Sequence, residues 1–213
     1  MTAPDFPVIA LGDDALTVLC GPSDIRHTLA HHLARDQSWI EVVPGKRDVT
    51  VAFDPHAESM ALAMSRLRRL LESAASSPAL ARQTHTLAAV FGGEDGPDLA
   101  ALAETLGIPA AQIIDEVLQS PLTVDMLGFT PGFAYLSGLS PTLLAERLAT
   151  PRARVPAGSI GLITGQLGLY ALEGPGGWPI IGRLQVPLFD RAAPNPFRLA
   201  PGDRVVLRPS GTL

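Results

Sequence analysis

The run Pro151-Arg152-Ala153-Arg154-Val155-Pro156-Ala157-Gly158-Ser159 holds the densest set of groups suited to an anion. Arg152 and Arg154 are two positions apart, and alternate side chains of an extended chain share a face. Two guanidinium forks on one side suit a carboxylate or a phosphate. Pro156, Gly158 and Ser159 follow, and the Gly158-Ser159 backbone N–H groups can donate to the same anion. An exposed edge that repels other strands is the competing reading. Farther on, Gln166, Tyr170, Glu173, Trp178 and Arg183 stand between glycine turns. Glu173 can accept a proton or pair with an arginine. Upstream, Gly128-Phe129-Thr130-Pro131-Gly132-Phe133-Ala134-Tyr135 joins glycines able to adopt positive φ with aromatics that either offer a stacking surface or fill a barrel. The candidate catalytic groups are therefore Arg152, Arg154, Glu173 and Arg183. The candidate substrate- or partner-binding residues are Phe129, Thr130, Pro131, Gly132, Phe133, Tyr135, Pro156, Gly158, Ser159, Gln166, Tyr170 and Trp178.

Other signals are weaker. His27 and His31 have metal-ligand spacing on a helix, but no third ligand stands nearby and a solvated face is expected. Gly92-Gly93-Glu94-Asp95-Gly96 is glycine-rich but acidic, and no phosphate loop ending in Gly-Lys-Ser/Thr occurs. Neither a Gly-x-Ser-x-Gly elbow nor a His-Glu-x-x-His pair is present. Cys20, the single cysteine, lies in an alternating run and reads as a buried strand residue. No metal is expected.

The elements that must position these groups fall into two textures. Pro7–Leu11 and Ala15–Cys20 read as strands around a Gly12-Asp13-Asp14 turn. Pro22-Ser23 opens a helix that carries Ile25, Leu29 and Leu33. Strands follow at Ile40–Val43 and Val49–Phe53, then a helix with Met60, Met64, Leu67 and Leu71 on one face. Helices interleaved with strands predict a split βαβ, ferredoxin-like unit over residues 1–83. Ser73–Gln83 is small and polar and reads as a flexible joint. Beyond it come a strand at Leu87–Phe91, helices at Asp98–Leu106 (capped by Asp98) and Pro109–Leu118, and a strand at Thr123–Leu127. Short apolar runs crowded by Gly and Pro then predict a compact barrel or sandwich for residues 84–213, with one short helix capped at Ser140-Pro141.

Composition bounds the role. The 213 residues are 46% hydrophobic and 17% charged, with a net charge of −5, so a packed core is expected and nucleic acid is not. No signal peptide and no apolar run of about 18 residues is seen, which predicts a soluble cytoplasmic protein.

Four ordered motifs carry a resemblance: Phe91-Gly92-Gly93 with Gly96-Pro97-Asp98-Leu99; Leu127–Leu136; Ala149–Ser159; and Gly174-Pro175-Gly176-Gly177-Trp178 through Gly182-Arg183. With Asp190, Pro201-Gly202-Asp203-Arg204-Val205 and looser N-terminal matches, the chain strongly resembles the 5-oxoprolinase B-subunit family, also called the KipI family or allophanate hydrolase subunit 1. The resemblance implies a ferredoxin-like domain followed by a cyclophilin-like β-barrel. It also implies 5-oxoprolinase A- and C-subunits as partners, and ATP-dependent opening of 5-oxoproline to glutamate. ATP, with Mg as its counter-ion, is then the expected cofactor, bound at the interface with a partner, and the isolated chain is expected to be inactive. Two other roles known for the family stay open: inhibition of a sensor histidine kinase, and a carboxyltransferase part of a urea carboxylase or allophanate hydrolase system. The sole lysine, Lys46, does not sit in a biotin-site context. The chain departs from the family pattern at Val117-Leu118, where His-Ser or His-Thr is common, and at Leu122 and Phe91, where Tyr is usual.

Overall fold

The computed structural model describes residues 6–21, 23–74 and 82–210. Pro22, and most of the joint expected at Ser73–Gln83, lie outside the described residues. The chain divides into two compact units, Met1–Ala81 and Arg82–Leu213.

The first unit runs β1 (Val8–Leu11), β2 (Ala15–Leu19), α1 (Ser23–Leu33), β3 (Glu41–Pro44), β4 (Asp48–Ala52), α2 (Met60–Ala74). Its sheet has the order β1-β2-β4-β3, and every neighbouring pair is antiparallel. Strands β2 and β3 therefore run the same way on either side of β4 and are joined through α1, which is a split βαβ crossover. A ferredoxin-like unit runs βαββαβ, whereas this one runs ββαββα, so the expected ferredoxin-like order is not the one found. The edge strand beside β2 comes from the preceding chain, because Gly12, at φ 66°, turns Leu11 back opposite Ala15 and makes a local hairpin.

Alternation sorts the two faces of that sheet. Leu16, Val18, Val49 and Val51 are fully buried and pack with Leu29, Leu33, Leu67 and Leu71 of the helices. The other face carries Ile9, Leu11 and Val43, all exposed. Helix α1 sits differently from its expected face. Ile25 is exposed, whereas Arg26 and His27 are buried. Arg26 donates from Nη1 to the Lys46 and Gly21 carbonyls, which fixes the helix start against the β3–β4 turn. His27 is thus not on a solvated face, and among the described residues no His/Cys/Asp/Glu cluster fits a metal ion.

The second unit runs β5 (Thr84–Phe91), α3 (Leu99–Leu106), α4 (Ala110–Gln119), β6 (Thr123–Leu127), β7 (Ala134–Ser137), β8 (Arg152–Val155), β9 (Ser159–Ile163), β10 (Gln166–Leu169), β11 (Gly174–Gly176), β12 (Ile180–Leu184), β13 (Arg204–Pro209). Seven strands close a barrel in the order β10-β7-β6-β13-β5-β12-β9, and β8 pairs with β11 as a separate ribbon. The barrel predicted from the Gly/Pro-crowded runs is therefore present in a mixed α+β chain. Among the described residues only β5 and β13 pair in parallel. Asp203 fastens that junction: its carboxylate accepts from the Gln83 and Ala200 N–H groups and meets His85 Nε2 at 2.9 Å. Residues 138–151 form no helix, contrary to the Ser140-Pro141 expectation. The Ser140 hydroxyl bonds the Thr142 hydroxyl instead, and Ala145 is strapped to Thr164 through three hydrogen bonds.

Candidate functional site

The site is built on strands from which side chains are missing. Tyr135 on β7 lies opposite Gly168 on β10, Gly168 opposite Gly161 on β9, and Gly161 opposite Ile180 on β12. This row faces away from the main core, since its neighbours Ala134, Leu136, Leu167, Leu169, Ile160 and Leu162 join that core. The two glycines leave a bare patch into which rings settle. A Cβ on Gly168 would stand 2.7 Å from Phe133 Cζ and 2.8 Å from Trp178 Cζ3; one on Gly161 would stand 3.0 Å from Trp178 Cβ. The aromatics therefore do not fill the barrel. They form a second cluster on its outer wall, where Phe133 meets Tyr135, Tyr170, Trp178 and Phe129 edge-on at centroid distances of 4.7, 4.9, 6.1 and 5.6 Å.

The β8–β11 ribbon roofs this wall. Val155 of β8 packs into the cluster, and a Cβ on Gly176 of β11 would collide with the Tyr170 hydroxyl. The loop that delivers Phe133 is shaped by turn chemistry. Phe133 N–H donates to Thr130 across Pro131 and Gly132, with Gly132 at φ 75°, a turn that favours Pro then Gly at its centre. Before it, Thr130 N–H donates to the Gly128 carbonyl around Phe129, the sole described non-glycine residue with positive φ, at 69°. Phe129 is also 62% exposed, so an exposed aromatic is held in a conformation that costs about 1–3 kcal/mol.

The predicted anion site comes apart in this geometry. A bulge shifts the β8–β11 register between Gly174 and Gly176, which breaks the alternation that would put Arg152 and Arg154 together. Arg152 grips Asp98 with both Nη atoms, at 2.8 and 2.6 Å, and this raises its pKa. The same carboxylate accepts from Ile180 N–H at 2.6 Å, so Asp98 ties ribbon to barrel rather than capping α3 with its side chain. Arg154 instead pairs with Glu173, 2.8 Å apart and well exposed, and Arg183 pairs with Asp95. Gly158 N–H donates to Tyr170 and Ser159 N–H to Pro156, so neither is free for an anion. Gln166 begins β10 opposite Ile163, at the far end of that strand from Tyr170. What the structure does bring together is Phe129, Phe133, Tyr135, Tyr170 and Trp178.

One neighbour was not legible in the sequence. The Arg147 guanidinium carbon lies 5.8 Å from the Trp178 ring centroid. Burial raises the pKa of the Tyr135 and Tyr170 phenols, while Arg147 pulls both the other way. Both therefore stay protonated as O–H donors near neutral pH. A cleft of about 810 Å³ runs along α3, lined by Asp98, Leu102, Leu106, Leu144, Glu146 and Pro179 among others.

Residues 8–199 match the family described as carboxyltransferase domain, subdomain C and D. The Escherichia coli O157:H7 protein named as the B-subunit of 5-oxoprolinase is 40% identical over 180 residues, covering 83% of this chain and 81% of that one. The chain belongs to the 5-oxoprolinase B-subunit family. The Haemophilus influenzae protein of the same name is 37% identical over 176 residues, covering 83% of this chain and 82% of its own. The solved structure of TTHA0988 superposes with a TM-score of 0.80 at 28% identity; it covers 94% of this chain, which spans 40% of that longer one. The Kluyveromyces lactis urea amidolyase shares the fold at 18% identity, TM-score 0.75, over 99% of this chain and 15% of its own. Val117 is fully buried in α4, and Leu122 is buried as well. Among the described residues no helix is long and apolar enough to cross a membrane.

Proposed function

We propose that the chain is the B-subunit of a 5-oxoprolinase, opening 5-oxo-L-proline to L-glutamate at the expense of ATP together with its A- and C-subunits. The observation that carries this reading is the 40% identity to the E. coli relative of that name, across four-fifths of each chain.

ATP supplies the driving force for opening a cyclic amide when the complex is assembled. The described residues of this chain fit a triphosphate poorly. The Gly158 and Ser159 N–H groups are spent within the barrel, and Arg152, Arg154 and Arg183 each face a carboxylate. The Gly92–Gly96 loop carries Glu94 and Asp95 and opposes phosphate. The nucleotide belongs on a partner's surface, and this chain's share is to hold the organic substrate. An aromatic wall with protonated phenols and nearby guanidinium groups suits a small planar amide bearing a carboxylate.

The test is reconstitution. Glutamate release from 5-oxo-L-proline is measured for the chain alone and with its cognate A- and C-subunits, with and without ATP. ATP-dependent release by the assembled complex only is the expected result. Silence of the full complex, or robust turnover by the single chain, overturns the reading.

A further inference from the structure

Four arginines stand in the part of the barrel unit that carries the aromatic wall and its ribbon, and they are not equivalent. Arg152, Arg154 and Arg183 are each neutralised, by Asp98, Glu173 and Asp95 respectively. For Arg147, no carboxylate among the described residues lies within ion-pair distance. Its guanidinium lies over Trp178 instead, and Tyr135 packs against the same indole at 5.8 Å between centroids. Trp178 is itself pinned, buried at 4% exposure against Phe133 and the bare Gly161–Gly168 floor. A ring face attracts a guanidinium without accepting its in-plane N–H groups, so those donors remain available to an anion. Arg147 is exposed and Tyr135 half-buried.

We infer that Arg147 and Tyr135 form a carboxylate-binding subsite, with Trp178 as the residue that positions the guanidinium. On the reading of the preceding subsection, which this inference rests on for the identity of the ligand, the carboxylate is that of 5-oxoproline. The guanidinium fork takes both carboxylate oxygens, and the Tyr135 O–H donates to one of them. No bond forms or breaks at this subsite. It sets which cyclic amides are accepted, since a lactam without a carboxylate leaves Arg147 unpaired.

The chain has two tryptophans, Trp39 in the first unit and Trp178 at the subsite, which gives an internal control. In the 15N-labelled full chain, the two indole N–H resonances are followed during titration with 5-oxo-L-proline and with 2-pyrrolidinone, its analogue lacking the carboxylate. Saturable movement of the Trp178 resonance with 5-oxo-L-proline is expected, with Trp39 unmoved. Arg147→Ala is expected to weaken that binding about tenfold or more and Arg147→Lys to recover little of it. The same response to 2-pyrrolidinone, an unchanged titration in Arg147→Ala, or no response at Trp178 overturns the subsite. In the reconstituted complex, Arg147→Ala should raise KM for 5-oxo-L-proline far more than it lowers kcat. A normal KM in that variant sinks the subsite and leaves the function standing. A complex with no 5-oxoprolinase activity, whose Trp178 still titrates in an Arg147-dependent way, sinks the function and leaves the subsite standing.

Discussion

Each unit carries a sheet face turned away from its main core, and the two faces are treated in opposite ways. In the first unit the face has an exposed apolar rim, Ile9, Leu11 and Val43, around a centre of small or hydroxylated residues, where Thr17 and Thr50 bond each other at 2.9 Å. In the barrel the corresponding surface is floored by Gly161 and Gly168, filled by Phe133, Tyr170 and Trp178, and roofed by the β8–β11 ribbon. The difference lies in the strands themselves. Threonine and alanine side chains cover their own strands, whereas paired glycines leave a trough that rings must occupy. A trough lined with phenols and indole can then hold a guanidinium in a fixed pose, which a bare aliphatic face cannot do.

The largest effect should come from unpinning the roof. Asp98→Ala removes both the Arg152 partner and the acceptor for Ile180 N–H, and is expected to cost about 3 kcal/mol in urea unfolding followed at Trp178. A loss no larger than that of a surface substitution would mean the ribbon holds by packing alone. Next, Gly168→Ala drives a methyl into Phe133 and Trp178 and should cost about 2 kcal/mol. Ala52→Val, on the bare face, should stay within about 0.5 kcal/mol. Equal costs for the two substitutions would erase the contrast between the faces.

A smaller effect separates the units by pH. Burial pushes the Cys20 thiol from 9.0 up to about 11. A raised pKa contributes stability that is present below the unfolded value and lost as pH climbs through the folded one. The first unit, read at Trp39, should therefore weaken by about 1–2 kcal/mol between pH 9 and 11, and Cys20→Ala should remove that slope. The barrel, read at Trp178, should begin to weaken only above pH 10, because its raised groups there are the phenols of Tyr135 and Tyr170. The smallest effect is expected of Arg154→Ala, whose pair with Glu173 is largely solvated; a change beyond about 0.5 kcal/mol in thermal unfolding would contradict that placement.

Much of the fold is legible in the residues alone. The crowding of Gly and Pro beyond Gly128 predicts a barrel or sandwich, and the alternation in Ala15–Cys20 predicts a strand and a buried thiol, although Cys20 lies one residue past β2. The face on which the aromatics lie was not legible. Period-two patterning says that Phe133 and Tyr135 share a side, but says nothing of which side is the interior until Gly161 and Gly168 are known to sit beside them. The pairing of Arg152 with Arg154 failed for a related reason: one bulge cancels an alternation argument, and a bulge in a glycine ribbon leaves little trace in the sequence. Arg147 escaped notice because its partner is a ring distant in sequence, within a stretch that read as a capped helix. The order of the first unit was missed because strand and helix periods do not say which neighbour a hairpin edge will choose.

The Asp203 fastening bears on how the molecule is made. Strand β13, the last barrel strand in chain order, lies between β5 and β6, so the barrel stays open while everything before it has already left the ribosome. The first unit contains all of its own strands and can collapse early, as leading domains do during synthesis. The second must wait, its apolar strands unsealed, until Asp203 captures the Gln83 N–H and His85 and lays β13 alongside β5. During that interval the barrel half is the part of the nascent chain most exposed to aggregation, and a ribosome stalled shortly before Asp203 would release it without its closing strand.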